Sequence, residues 1–527
     1  MDFTTTCRGA RVGGKSRRLY LFSKSLDAYR ECHDEGRRAS FHLAFMPTLL
    51  SLRRHDEASE LLSQIQGLPD DAFRPDNRAL RRWANAMLDV RMNDRGRGVR
   101  ALETMSHDEP RANDRWRAAI SLALELANTL PEAASEAFRA ADHVLAGTLA
   151  PNLNGVRLDD PRRNGSLRVA HLLQQGDIDE AACAAREANA RRALGHRWIS
   201  ARSQASVEAF SVTRQLRDQL WIRERAQSQL SQVGRPRGAD QIREDLRQIE
   251  QSLQLAFVDT RVPDCLELGR PRDDDALVVV QPLQDGREAV FTVTAHDTDV
   301  AYFHTDTPPG SWTLPHQLER YSEIYLLAGD PNAGAAKVLA AGPRTFLSVE
   351  HMGTESVYAS HIAQIWHPHA NGLDPGAEIS VLAAAFGDRT WRVDILHEPV
   401  MMRDTLLRTP APELLYIASH GSAMEGLSMP FGVRIRDIDI LLARSAPRVV
   451  VIGACESEKF AQVLLLAGSE VVIAGHGKLP DTAARRLLSG AIVRKDHELD
   501  VDALQARAAE LPADWRRFKK FRGVAKR

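Results

Sequence analysis

The sequence predicts a two-part chain: an all-α helical repeat half, then an α/β sandwich with a largely parallel sheet. Three observations carry this. From Ser25 to Leu255 alanine, leucine, arginine, glutamate and glutamine dominate, with apolar residues three and four apart, the helical period. From Ala276 onward short runs of apolar and β-branched residues alternate with helical segments, the pattern of stacked βα units. Between them, Asp259 to Asp275 (DTRVPDCLELGRPRDDD) is rich in proline and acid and has no period. The expected division is a helical domain over 25–258, a linker over 259–275 and a sheet domain over 276–527.

At 527 residues the chain is too long for one core. With 43% hydrophobic and 26% charged residues it belongs to the ordinary globular class. The net charge of −1 gives no global field to attract nucleic acid or anionic lipid. The five cysteines, Cys7, Cys32, Cys183, Cys265 and Cys455, are scattered and form no CxxC or Cys/His cluster, which argues against zinc and for a reducing compartment. The polar amino terminus lacks a signal-peptide core, and no apolar run nears the roughly 20 residues a membrane helix needs. The expected location is the cytoplasm.

Gly9 to Ser16 (GARVGGKS) matches the phosphate-loop pattern, but no buried strand precedes it and no βαβ unit follows, so a basic tail is the better reading. Leu49 to Leu62 and Leu172 to Ala182 each read as the middle of a helical hairpin: a helix, a short polar turn, then a helix opened by acidic residues. Weaker echoes lie at Asp94 to Met105 and Leu130 to Phe138. The set resembles a degenerate tetratricopeptide array, whose period is about 34 residues. Such an array either presents a concave partner-binding surface or packs as a bundle. Thr148 to Asn164 reads as a loop, and Trp198 to Leu255 as two long helices broken at Gly234 to Gly238.

In the second half, Ala276 to Val280, Ala289 to Val293 and Asp299 to Phe303 read as a strand meander turning at Gln284 to Arg287. Further strands are expected at Ile324 to Ala328, Thr345 to Val349, Ile379 to Phe386 and Trp391 to Leu396, and a helix between Ser356 and Trp366. Leu414 to Ala418, Val449 to Ile452 and Val471 to Ala474 are short apolar runs flanked by breakers, as buried parallel strands are. The basic run Trp515 to Arg522 reads as a solvated helix face, with nucleic acid or an acidic partner as the other reading.

The strand at Leu414 ends in Ser419-His420-Gly421, and the strand at Val449 in Gly453-Ala454-Cys455-Glu456-Ser457. In an open parallel sheet, chemistry gathers at the carboxyl ends of neighbouring strands. A histidine at one end and a cysteine at the next is the layout a Cys–His pair needs: the imidazole takes the thiol proton and later protonates a leaving amine. The backbone N–H groups of Gly421 and Cys455 are candidates for an oxyanion hole. Glycine at 421 permits close backbone approach, and Ala454 is small.

Ser-His-Gly after one strand and Gly-Ala-Cys-Glu-Ser after the next resemble the CHAT peptidases of the caspase-like clan. Val433 to Asp439 is similar to that family's turn into a short helix before the cysteine strand, and Leu479 to Ala484 to the segment after the following strand. The resemblance spans roughly Ala276 to the carboxyl terminus, and the family often carries tetratricopeptide repeats ahead of the peptidase. It implies a cysteine endopeptidase with His420 as base, Cys455 as nucleophile and no cofactor or metal. It also implies one protein target cut at few sites, with bacterial defence or cell death as the setting. Because a protease of this kind in a cytosol must be restrained, the helical repeats are expected to bind a regulatory partner or signal that opens the groove. Two departures bear on the shape of the substrate groove and not on the dyad. Glu458 to Leu466 is short and lacks the family's glycines, and Gly475-His476-Gly477 replaces its usual Ser-Leu-Trp.

Asp437, Asp439, Glu456, Glu458 and His476 are the expected groove-lining residues, and any of the acids would favour a basic substrate side chain. His476 also precedes glycine, but strand order favours His420 as the base. His367 and His369 lack a third nearby ligand, so a surface loop is the better reading there. The rival function is a catalytically silent adaptor that binds partners through its repeats. A nucleic-acid or small-molecule trigger has no support in the helical half beyond Gly9 to Ser16.

Overall fold

The computed structural model describes residues 35–69, 73, 75–109, 112–148, 165–192, 222, 269–283, 285–304, 316–329, 334–349, 357–367, 376–386, 390–406, 410–422, 426–428, 434–435, 439–440, 445–475, 487–488, 498–510 and 515–521. The phosphate-loop match at Gly9 to Ser16, the loop after Thr148, the helices expected over Trp198 to Leu255 (Ile222 apart) and most of the 259–275 linker lie outside them. The chain divides into two compact units, Met1–Leu145 and Ala146–Arg527.

Among its described residues the first unit is helical: α1 (Glu35–Ser51), α2 (His55–Ser63), α3 (Pro75–Leu88), α4 (Arg95–Asp108), α5 (Ala112–Leu126) and α6, whose range Pro131–Thr148 passes the unit's last residue, Leu145. Leu43, Met46, Leu49 and Leu50 of α1 recur at helical spacing and are buried, as are Leu61 and Leu62 of α2. The turns fall where the hairpin motifs place them, after Ser51, at Asp94 and at Leu130. Asp94 caps α4 by accepting from the Arg97 N–H at 3.0 Å. Between α3 and α4 the chain makes a π-turn at Asp89–Asn93, and Gly98 presses against it. A Cβ there would lie 2.5 Å from the Val90 nitrogen, so only glycine fits.

The second unit opens with a helical hairpin, α7 (Ser166–Gln175) and α8 (Ile178–Arg192), turning at Gly176 (φ 78) and Asp177. The strands follow: β1 (Asp275–Pro282), β2 (Arg287–Val293), β3 (Thr298–His304), β4 (Glu323–Ala328), β5 (Thr345–Leu347), β6 (Tyr358–Trp366), β7 (Arg392–Leu396) and β8 (Ala411–Ala418). A small group, β9 (His420–Ser422), β10 (Gly426–Ser428) and β11 (Arg434–Ile435), precedes β12 (Val449–Gly453), β13 (Val471–Gly475) and β14 (Trp515–Lys519). Interspersed are α9 (Gly334–Ala340), α10 (Gly376–Ala385), α11 (Pro399–Leu406), α12 (Glu458–Ala467) and α13 (Val501–Glu510).

Eleven strands form one mixed sheet in the order β3-β2-β1-β4-β5-β14-β13-β12-β8-β6-β7. Only β3–β2, β2–β1 and β14–β13 pair antiparallel, so the sheet is largely parallel as expected. Both faces are buried, which is why its central strands read as unbroken apolar runs. One face, from Ala276 and Val278 across to Val472 and Ala474, packs under α9, α11 and α12. The opposite face carries two cores. Leu414, Tyr416, Val449 and Val451 meet α10 and α13, while Leu277, Val279 and Phe291 meet the α7–α8 hairpin. The result is a three-layer sandwich.

Three expectations are corrected. Ser356 to Trp366, read as a helix, holds strand β6 from Tyr358 to Trp366, paired in parallel with β7 and β8. A bulge between Ala359 and Ala363, with His361 at φ 61, breaks its alternation and hid the strand period. Ile379 to Phe386, read as a strand, lies largely in α10; Leu382 and Phe386 face the core one turn apart, and a continuous apolar run cannot by itself tell the two apart. Trp515 to Arg522 is no solvated helix face. Its first five residues are β14, inserted between β5 and β13. Trp515 and Phe518 are buried. The charges beside them are met by partners: Arg517 donates to the Gly342 and Pro343 carbonyls, and Lys519 pairs with Glu323.

Candidate active site

The site grows from two adjacent parallel strands. β8 is buried at every position, and Val449, Val450, Val451 and Ile452 of β12 are buried too. Their register sets Ile417 opposite Ile452 and Ala418 opposite Gly453. Both strands therefore stop at the same edge, and each chain runs two more residues to reach its motif. The histidine and cysteine motifs therefore leave the sheet from neighbouring strand ends.

Past Ala418 the chain leaves the main sheet. Ser419 is buried, and its hydroxyl donates to the Ser428 carbonyl at 2.7 Å. β9 then pairs antiparallel with β10, setting His420 opposite Ser428 and Gly421 opposite Leu427. Leu427 and Ile435 of this small sheet are fully buried in the core beneath it, which pins the backbone that carries His420.

Past Gly453 the chain makes a tight turn. Ala454 is buried, Cys455 is partly exposed, and Glu456 is exposed with φ 50, a left-handed conformation that costs a side-chain-bearing residue energy. Ser457 is 1% exposed and closes the turn. Its hydroxyl donates to the Ala454 carbonyl at 2.8 Å and accepts from the Gly475 N–H at 2.9 Å, and its own N–H donates to the Gly475 carbonyl at 3.1 Å. The turn bearing Cys455 is thus tied to the end of β13, and α12 begins one residue later.

Gly421 joins the two motifs. A Cβ built on it would lie 2.1 Å from the Cys455 carbonyl oxygen, 3.3 Å from the Cys455 carbonyl carbon and 3.2 Å from the Ala454 Cβ. The Gly421 backbone therefore lies against the Cys455 backbone, at a distance only glycine tolerates. The motifs expected to share one site are brought together by register and by this contact.

The other expected residues are placed unequally. Asp437 and His476 lie outside the described residues. Asp439 is 1% exposed. Glu458, in the first turn of α12, faces Arg516 of β14 at 3.6 Å with both side chains largely buried, so its charge is balanced within the protein. Of these acids Glu456 is the exposed one among the described residues. His367 follows β6 and lies 3.4 Å, Nδ1 to Nδ1, from His397 at the end of β7. No group of three or more metal-binding side chains occurs among the described residues, and none of the described helices is long and apolar enough to cross a membrane. Of the other four cysteines only Cys183 is described. It lies in α8 and is disulfide-bonded, against the expectation of a chain without disulfides.

Sequence reading missed three residues beside the site. Ser457 carries the turn, yet a serine after a strand gives no sign of which carbonyl it will close on. Tyr416, 1% exposed, donates from its hydroxyl to the Glu378 carboxylate in the first turn of α10 at 2.6 Å. That hydroxyl lies 2.8 Å from where a Cβ on Gly453 would stand. Burial, with the charge and hydrogen bond of Glu378, pushes the Tyr416 phenol well above the usual tyrosine range. No protein-family model matches the chain, and no curated protein matches it.

Proposed function

We propose that the chain is a cysteine endopeptidase of the caspase-like clan, with a CHAT-type peptidase domain behind a tetratricopeptide-like array. The observation that carries this reading is the junction of the two motifs: β8 and β12 end in register, and the Gly421 backbone rests on that of Cys455. In the proposed reaction the His420 imidazole takes the Cys455 thiol proton, and the thiolate attacks the scissile carbonyl carbon. As the C–S bond forms, the carbonyl π pair moves onto oxygen, where the N–H groups of Gly421 and Cys455 receive it. Collapse breaks the C–N bond, and the imidazolium gives its proton to the departing amine. A water deprotonated by His420 then attacks the thioester, the C–S bond breaks, and the carboxylic acid and the thiol are released.

Unrestrained, such an enzyme would damage the cell that makes it. The helical half is proposed to bind a partner or signal that opens the groove, and the target to be one protein in a bacterial defence or cell-death pathway. Free cleavage of casein by the purified chain alone would contradict the restraint. The rival is a silent adaptor, against which the retention of both His420 and Cys455 argues. The test is to add wild-type or Cys455→Ala protein to a cell extract and map new protein amino termini. Termini that appear with wild type alone are expected. The same set with both proteins would overturn the reading.

A further inference from the structure

We propose that Ser457 is a positioning residue for the Cys455 nucleophile: its buried hydroxyl sets the shape of the cysteine turn and fastens that turn to the end of β13. The inference rests on the peptidase reading above and adds to it a residue with no part in the bond-making steps. It starts from where the ladder between β12 and β13 stops, at Ile452 opposite Ala474. Gly475 is the next residue of β13, and Ser457 meets it from the far side of the cysteine turn. The Ser457 N–H donates to the Gly475 carbonyl at 3.1 Å, and its hydroxyl accepts from the Gly475 N–H at 2.9 Å.

This serine does not do what its place in the chain would suggest. It stands at the N-cap of α12, where a serine hydroxyl ordinarily accepts from an N–H of the first helical turn. Here the side chain makes no such bond. In a four-residue turn the closing bond commonly runs from the fourth N–H to the first carbonyl. From Ala454 to Ser457 the hydroxyl makes that closure instead, donating to the Ala454 carbonyl at 2.8 Å, while the N–H goes to Gly475. One hydroxyl therefore closes the turn and extends the pairing with β13 by a residue. At 1% exposure it is sheltered from competing water.

The turn needs such a tie. Glu456 has φ 50, a conformation that a side-chain-bearing residue keeps only where its surroundings over-determine it. On one side the Cys455 carbonyl lies against the Gly421 backbone, 2.1 Å from where a Cβ on Gly421 would stand. On the other side Ser457 is the fixed point. Cys455 and Glu456 lie between these two anchors, so the backbone that carries the thiol has little room to relax. Without the hydroxyl, the Ala454 carbonyl and the Gly475 N–H each lose a bond in a buried place, and Glu456 is released toward ordinary φ values, moving the cysteine beside it.

The experiment measures the rate of Cys455 alkylation by iodoacetamide at neutral pH in full-length protein, mapped to the Cys455 peptide by mass spectrometry. The proteins are wild type, Ser457→Ala, Ser457→Thr and His420→Ala. Neither serine substitution changes a charge, and alanine removes no cap bond, so a changed rate reports moved geometry. A displacement of about 1 Å between reacting groups can lower a rate on the order of 100-fold, and Ser457→Ala is expected to lose about 10-fold or more. Ser457→Thr keeps the hydroxyl and should recover most of the loss. Amide hydrogen exchange checks the tie itself: in Ser457→Ala the Gly475 amide should exchange faster while those of Val471 to Ala474 keep their protection. A wild-type or faster alkylation rate in Ser457→Ala, or unchanged exchange at Gly475, would overturn the inference. So would a threonine variant that keeps its β13 protection and still reacts as slowly as the alanine one; where the extra methyl disturbs β13, the alanine rate alone decides. A wild-type rate that ignores His420 would sink the peptidase reading and the inference with it. A rate that depends on His420 but not on Ser457 would sink the inference alone.

Discussion

Replacing Gly421 by alanine tests the junction of the two motifs through one methyl group. The added carbon would lie 2.1 Å from the Cys455 carbonyl oxygen. That oxygen belongs to the backbone and cannot rotate aside as a flexible side chain could. To restore ordinary contact the strand ends must part by roughly 1.3 Å, and overpacking of this kind costs on the order of 1–3 kcal/mol. The chemical cost should be larger in proportion, because a displacement of about 1 Å between reacting groups can lower a rate on the order of 100-fold. Hydrogen exchange of peptides from β8 and β12 reads the first effect. The rate at which a peptide-based electrophile labels Cys455 reads the second. Gly67→Ala, where an added carbon meets nothing within 4 Å, is the control and should change neither. If Gly421→Ala kept wild-type protection and labelling rate, the two backbones would not be in contact and the construction of the site would fall.

Phe518 is fully buried in β14, so Phe518→Ala should cost about 3–5 kcal/mol in thermal unfolding; a surface-like loss below about 0.5 kcal/mol would contradict a central β14. Arg448 bridges Glu413 and Glu470, both at 3.0 Å, with side-chain exposures of 29%, 7% and 35%. Arg448→Met strands the buried Glu413 and should cost about 2–3 kcal/mol, less than a fully buried pair because two of the three groups reach water; adding Glu413→Gln should recover part of it. Tyr416 titrates above the usual tyrosine value in the folded state, so the stability it contributes is fully present below about pH 10 and is lost as pH rises through the folded pKa. Tyr416→Phe should therefore flatten the alkaline end of the stability profile, and an unchanged profile above pH 10 would contradict the placement of the hydroxyl.

What the sequence could reveal follows from where burial is symmetric. Strands buried on both faces, such as Leu414 to Ala418 and Val471 to Ala474, announce themselves as apolar runs between breakers. The helical turns were legible because acidic residues at Asp56, Glu57, Asp179 and Glu180 mark helix starts. Both motifs of the site could be read because each sits where such a strand stops. Elements whose character comes from distant partners stayed hidden. β14 is basic in sequence, and only Glu323 and the carbonyls near Gly342 make its charges compatible with a central strand. The α7–α8 hairpin reads like its helical predecessors, yet it packs on Leu277, Val279 and Phe291 of the sheet. Glu378 and Tyr416 are far apart in the chain, and no local pattern pairs a helix-start acid with a strand tyrosine.

Activation of a Cys455 nucleophile by His420 is the step on which the proposed chemistry depends. It can be read by labelling with a library of peptide acyloxymethyl ketones, detected as a covalent adduct by mass spectrometry, on wild type, Cys455→Ala and His420→Ala. The expected outcome is an adduct on Cys455 in wild type, none in either variant, and a preferred peptide side chain reported by the library. An adduct that persists in His420→Ala, or one that forms on a cysteine other than Cys455, would contradict it.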